Sequence, residues 1–214
     1  MSQDLFVTGT DTSVGKTVLS ALLVAALDAV YWKPIQTGAT EGTDRQTVMK
    51  FAEIPEEQTL PETYLFNPPV SPHLAARMAG ARIDLARIRK PAITSGRPLV
   101  VEGAGGVLVP VNDSDFMLDM ICALGMPVVV AARSALGTIN HTCLTVGALR
   151  DAGASVKGVV TIGAENRNNE EAIATYSGVP IIGRIPQLDS ISRRVLLEVF
   201  RVHFDRRAFP VAHA

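Results

Sequence analysis

Residues 9–17 read Gly-Thr-Asp-Thr-Ser-Val-Gly-Lys-Thr and separate two apolar runs, Leu5-Phe6-Val7 before them and Val18 to Leu27 after. A short strand, a glycine-punctuated loop ending in Gly-Lys-Thr and an opening helix together form a phosphate cradle. Gly15 lets the backbone pass close to anionic oxygens, and successive N–H groups with the positive end of the helix dipole aim at one point. Lys16 adds a mobile full charge, and Thr17 sets a hydroxyl where a Mg²⁺ bridging two phosphates needs a ligand. The interval from Gly9 to Gly15 is one residue longer than in the common G-x-x-x-x-G-K-[ST] loop. A turn that merely capped a helix would require neither Lys16 nor Thr17.

The rest of the chain alternates in kind. Strand-like runs at 5–8, 29–33, 98–102, 127–131, 156–162 and 180–185 are rich in β-branched residues and lack strict alternation, as strands buried on both faces do. Helices are expected at 16–29, 43–53, 72–79, 84–94, 116–124, 138–151, 170–176 and 191–204, with Asp115 and Ser71 as caps. The Pro-rich stretch 54–70 reads as a patternless surface excursion. These readings give an α/β fold of the P-loop NTPase type. A mostly parallel central sheet carries helices on both faces, and 1–214 form one domain.

A parallel sheet binds its ligands at the carboxyl ends of its strands. Polar and glycine residues stand there: Thr8-Gly9-Thr10-Asp11, Lys33-Pro34-Ile35-Gln36-Thr37-Gly38 and Glu102-Gly103-Ala104-Gly105-Gly106. Glu102 is expected to end its strand and open a glycine-rich turn as a metal ligand; the competing role is a turn or capping acid. Asp44 is either a metal ligand or an acid satisfied by the helix dipole. Lys33, a second lysine beside Lys16, would suit a site where negative charge develops, such as carboxylate or carbamate activation by phosphoryl transfer; otherwise it snorkels at a strand end. His73 in Ser71-Pro72-His73 reads as a cap histidine. Leu136-Gly137-Thr138-Ile139-Asn140-His141 is a helix start that either holds an anion or is plainly capped.

With 20 Lys+Arg against 21 Asp+Glu there is no basic excess to attract nucleic acid or an anionic membrane. The arginines at 193, 194, 201, 206 and 207 read as a solvated helix face. No apolar run is long enough to span a bilayer and no secretory signal is read, so a cytoplasmic location is expected. Cys122 and Cys143 form no Cys-x-x-Cys pair and are expected to be small core residues.

With these pieces assembled, the chain resembles the dethiobiotin synthetase family. The resemblance rests on 9–17, Lys33-Pro-Ile-Gln-Thr-Gly38, Asp44, Ser71-Pro-His73, Val101-Glu-Gly-Ala-Gly-Gly106, Leu136-Gly-Thr-Ile-Asn-His141 and Gly183-Arg-Ile-Pro-Gln-Leu188, in the family's order across nearly the whole chain. It implies the penultimate step of biotin biosynthesis, an ATP- and Mg²⁺-dependent ring closure of 7,8-diaminopelargonate with CO₂ or bicarbonate. It also implies a homodimer with active sites near the subunit boundary. Ser13, Val14, Gly15, Lys16, Thr17, Val18, Asp44, Glu102, Gly103, Ala104, Gly105, Pro186, Gln187 and Leu188 would bind the nucleotide. Thr17, Asp44 and Glu102 would hold the metal, and Lys33 and Lys16 would be catalytic. Thr12 and Thr37 would line the substrate, and Gly137, Thr138 and Asn140 would reach its carboxylate in the partner subunit.

Two positions depart from the family pattern. Ser13 stands where many members carry an acid, and Ile162-Gly163 stands where many carry the Asn-Asp that reads adenine. Loose discrimination among nucleoside triphosphates is therefore expected. The main alternative is a deviant-Walker partitioning or regulatory ATPase, which would place its signature lysine at Asp11. Cobyrinic acid amidation enzymes share the core but need a glutaminase domain, and a non-catalytic nucleotide-binding subunit would not need Lys33.

Overall fold

A computed structural model describes residues 4–209. The chain runs β1 (Leu5–Gly9), α1 (Lys16–Leu27), β2 (Val30–Trp32), β3 (Ile35–Gln36), α2 (Asp44–Ala52), β4 (Thr59–Leu60), β5 (Tyr64–Leu65) and α3 (Pro72–Met78). It continues through β6 (Leu99–Gly106), α4 (Met117–Leu124), β7 (Val128–Arg133), α5 (Thr138–Asp151), β8 (Val156–Ile162), α6 (Arg167–Ser177), β9 (Ile181–Ile185) and α7 (Arg193–His203). The main sheet has the order β4-β2-β6-β1-β7-β8-β9, and every pairing in it is parallel. A parallel sheet aligns all its carboxyl ends on one edge, which is where the loops described below gather.

Period-two alternation assigns the side chains to two layers. Phe6, Trp32, Val101, Val130 and Val159 face one way and meet α3, α4, α5 and α6 through Ala75, Met117, Met120, Val146 and Ile173. Leu5, Val7, Tyr31, Val100, Val129 and Val160 face the other way, against α1, α2 and α7. Both layers are closed by aliphatic and aromatic side chains with almost no exposure. This double burial explains why the strands read as continuous apolar runs.

Four expectations need correction. The stretch 54–70 is not patternless: Thr59–Leu60 adds an edge strand beside β2, and Tyr64–Leu65 pairs with Ile35–Gln36 in a second small sheet. Trp32 anchors this region by donating its indole N–H to the Pro61 carbonyl at 3.2 Å. Residues 84–94 contain only one short 3₁₀ turn, Leu85–Arg87, whose start is capped by Asp84. The β6 strand does not end at Glu102 but continues through the glycines to Gly106, which lies opposite Gly9. Cys122 is exposed and Cys143 half-buried, so neither is a core residue.

Caps shift in one case as well. Phe116 precedes α4, and the Asp119 carboxylate accepts its N–H at 2.7 Å. Asp115 instead accepts the Asn112 amide, while Ser71, at the start of α3, makes no side-chain cap. At α2 the start is a full capping box, with Thr43 and Gln46 each satisfying the other's backbone N–H. This fixes the helix start and hence the direction in which Asp44 leaves it.

Candidate active site

The loop between β1 and α1 is shaped by what its glycines leave out. Gly15 has φ +98°, and a β-carbon there would meet Ile162 Cδ1 at 2.8 Å. A β-carbon on Gly9 would meet Val14 Cγ2 at 2.6 Å, because Val14 turns its side chain into the core and leaves its backbone to the loop. Thr12 and Ser13 are exposed at the crest, where Arg133 from the end of β7 donates to the Thr12 carbonyl at 3.1 Å. No side chain caps α1 and no acid stands in its first turn, so its first N–H groups face the loop with the positive end of the dipole. Val18 follows on the first turn and packs, partly buried, on the core. Lys16 is buried, and its Nζ donates to the Asp11 carbonyl at 2.9 Å. Burial pushes its pKa down to about 8, against the opposing pull of Glu102.

Beneath the loop lies a cluster assembled from four elements, α1, the end of β2, α2 and β6. Trp32 of β2 pairs with Val101 of β6, so the next residues, Lys33 and Glu102, stand side by side on the α1 face. Thr17 Oγ1 lies 3.0 Å from both Asp44 Oδ1 and Glu102 Oε1. Lys33 Nζ donates to Glu102 Oε1 at 3.1 Å and forms a close ion pair with Asp44. Tyr31 donates its hydroxyl to Glu102 Oε2 at 3.0 Å. Burial works hardest against the Lys33 charge, yet Glu102 and Asp44 together hold its pKa above the ordinary lysine value. Burial likewise opposes the Asp44 charge, and Lys33 outweighs it, so that carboxyl sits below its ordinary value. Burial first, and then Glu102, raises the Tyr31 phenol well above its usual range.

Thr17, Asp44 and Glu102 present hard oxygens at the foot of the loop, and their chemistry fits Mg²⁺. Among the described residues no three His, Cys, Asp or Glu side chains gather as a protein-only metal site. Two carboxylates and a hydroxyl suit an ion that shares its coordination with waters and phosphate oxygens.

The remaining expected residues divide into near and remote. Thr37 follows β3, where the Gln36 side chain donates to the Thr37 carbonyl and accepts the Asp44 N–H at 3.0 Å, tying this turn to α2. Gly103, Ala104 and Gly105 belong to β6; Gly103 makes room for Phe6, whose ring carbon lies 3.0 Å from where a β-carbon would stand. Gly137 caps α5 with φ +92° and no side-chain bond, Thr138 is buried and Asn140 is exposed. Among the described residues no hydrogen bond joins these three to the Lys33 cluster. Pro186, Gln187 and Leu188 follow β9, with Leu188 packed on the core and Gln187 exposed. His73 Nδ1 lies 3.1 Å from Ser71 Oγ, as in a local turn. A cleft beside the P-loop is lined by Arg133, Ser134, Ala135, Ile162, Gly163, Ala164, Glu165 and Asn166, with predominantly apolar walls. Tyr31 and Arg133 have no signal in a linear reading, because each acts across a strand pairing or a loop crossing.

The profile of a family described as an AAA domain matches residues 3–195. The ATP-dependent dethiobiotin synthetase BioD of Rhodopseudomonas palustris strain BisB18 is 44% identical, over 98% of this chain and 99% of its own length. The protein of the same name from strain BisA53 is 47% identical over 96% of this chain and 95% of its own, and that of Novosphingobium aromaticivorans 46% over 92% and 95%. Among solved structures, a ParA family ATPase from Chlorobium tepidum TLS superimposes with TM-score 0.54 at 12% identity, covering 94% of this chain and 92% of that one. The MinC:MinD cell division protein complex of Aquifex aeolicus gives 0.52 at 13% identity, over 88% and 82%. Likeness at that level of identity speaks for the fold alone.

Proposed function

Since the chain belongs to the dethiobiotin synthetase family, we propose that it is an ATP-dependent ligase that closes the ureido ring of dethiobiotin from 7,8-diaminopelargonate and CO₂. The observation that carries this reading is the convergence of Lys33, Asp44, Glu102 and Thr17 directly below the phosphate loop. A simple nucleotide switch has no use for a second buried lysine in that position.

In this reading Lys16 and the uncapped N–H groups of α1 receive the phosphates of ATP. Thr17, Asp44 and Glu102 would hold Mg²⁺, which would offset charge on the transferring phosphoryl group. Thr12 and Thr37 flank the diamine, and Lys33 steadies the anion formed when one amine takes up CO₂ as a carbamate. A carbamate oxygen attacks the γ-phosphorus, the bond to the bridging oxygen breaks, and ADP leaves. The second amine then attacks the carbonyl of the mixed anhydride, phosphate departs with the electron pair, and the ring closes. Protein groups contribute mainly alignment and fixed charge. Isotope labelling tests this: ¹³C-bicarbonate should deliver its label to the ureido carbonyl of the product.

A homodimer fits the same reading. Leu136 is fully exposed and Leu144 largely so, on either side of the α5 start that carries Gly137, Thr138 and Asn140. Apolar side chains in that position favour a protein partner. Among the described residues no helix is long and apolar enough to cross a membrane. One main sheet that carries both helical layers, with the small β3-β5 sheet beside it, supports reading the chain as one domain. The partitioning-ATPase alternative draws on fold likeness only, and Asp11 stands where its signature lysine would be.

A further inference from the structure

Tyr31 is fully buried in β2, one strand away from Glu102, and its hydroxyl is 3.0 Å from Glu102 Oε2. The two oxygens of Glu102 have different partners. Oε1 receives Thr17 and Lys33, while Oε2 receives Tyr31, the one recorded donor to it among the described residues. Tyr31 pairs in register with Val100, so its side chain emerges on the α1 face beside Glu102, two residues further along β6. The ring is held in the core formed with α1 and α2, which leaves the hydroxyl little freedom.

We propose that Tyr31 is a positioning residue for Mg-nucleotide binding: its hydroxyl pins Oε2 of Glu102 so that Oε1 alone is presented toward Thr17 and the phosphate loop. A carboxylate anchored through one oxygen cannot swivel, and its other oxygen keeps one direction toward a cation. Without the hydroxyl, Oε2 becomes a buried acceptor lacking a donor, and the carboxylate turns to satisfy it at the expense of its contact with Thr17. The role rests on the reading of Glu102 as a metal ligand, so the test separates the two.

Tyr31→Phe removes one oxygen and keeps the ring. The Mg²⁺ concentration that half-saturates binding of adenylyl imidodiphosphate, followed by calorimetry, should rise roughly tenfold, within the range seen when groups behind a metal ligand are removed. The KM for the diamine should stay unchanged. Tyr64→Phe serves as the control, since it deletes a hydroxyl on β5 of the small sheet that donates to the Asp84 carbonyl and accepts the Asp84 N–H, away from the cluster. Glu102→Gln is measured in parallel, and circular dichroism confirms that each variant is folded at the temperature used. A raised Mg²⁺ requirement in Tyr31→Phe and Glu102→Gln, with Tyr64→Phe like the parent, supports the role. A raised requirement in Glu102→Gln alone makes Tyr31 a packing residue and overturns the inference while the metal reading stands. No change in Glu102→Gln overturns both.

Discussion

Lys33 Nζ and Glu102 Oε1 lie 3.1 Å apart with both side chains buried, and Asp44 closes the pair from the other side. One lysine thus compensates two carboxylates. Lys33→Ala leaves two like charges facing each other in a low-dielectric site, a loss of about 3–5 kcal/mol by comparison with other broken buried pairs. Mg²⁺ should restore part of it, so thermal melts with and without Mg²⁺ should diverge more for the variant than for the parent. Equal divergence would contradict the account. The direction with pH follows from the two shifts. The raised Lys33 pKa stabilises below the ordinary lysine range and is lost as pH climbs through the raised value; the lowered Asp44 pKa stabilises above the ordinary carboxylate range and is lost as pH falls through the lowered one.

The two lysines should separate in function. Lys33→Ala, assayed in Mg²⁺, should abolish dethiobiotin formation while retaining most nucleotide affinity, whereas Lys16→Ala should weaken both. Comparable loss of nucleotide affinity in the two variants would count against this division.

Burial pushes the Lys16 pKa down to about 8, and only its ammonium form attracts phosphate. Above that pH, binding must take up a proton, so nucleotide affinity should fall about tenfold per pH unit, the slope of a single linked proton. Calorimetry in two buffers of different ionisation enthalpy should show the uptake, and Lys16→Arg should abolish it because guanidinium stays charged. A parent affinity flat from pH 7 to 9 would refute the linkage.

Gly15→Ala places a β-carbon on a backbone with φ +98° and drives it against Ile162 Cδ1. Loop strain of about 1–3 kcal/mol should appear as a raised KM for ATP. Adding Ile162→Ala should recover the part due to contact but not the part due to backbone conformation, which a double-mutant cycle resolves.

Base discrimination should be weak. The cleft beside the loop is mainly apolar, and Ile162-Gly163 supplies no side-chain donor and acceptor pair there. An apolar slot separates similar ligands by only about one to two orders of magnitude. Turnover with ATP, CTP and GTP at matched concentrations should differ within that range, and activity with ATP alone would overturn the expectation.

Much of the fold was legible because double burial makes each strand a run of Val, Ile and Leu, as in Leu99-Val100-Val101 and Val128-Val129-Val130. The phosphate loop was legible because its chemistry is local, with Gly15, Lys16 and Thr17 consecutive. What escaped depends on pairing across distance. Tyr31 and Glu102 are 71 residues apart in sequence and meet only because β2 and β6 pair in one register. Thr59–Leu60 is too short to show a period and becomes a strand because β2 offers an open edge. Cys122 misled because a helix that is apolar on average still turns some positions outward, and this one faces solvent.

Phosphate release from the purified protein with Mg-ATP and bicarbonate, measured with and without 7,8-diaminopelargonate while dethiobiotin is followed by mass spectrometry, tests the central claim most directly. The account predicts release that requires the diamine and matches product one for one. Release indifferent to the diamine, with no dethiobiotin formed, would contradict it and would leave a phosphate loop serving a nucleotide switch.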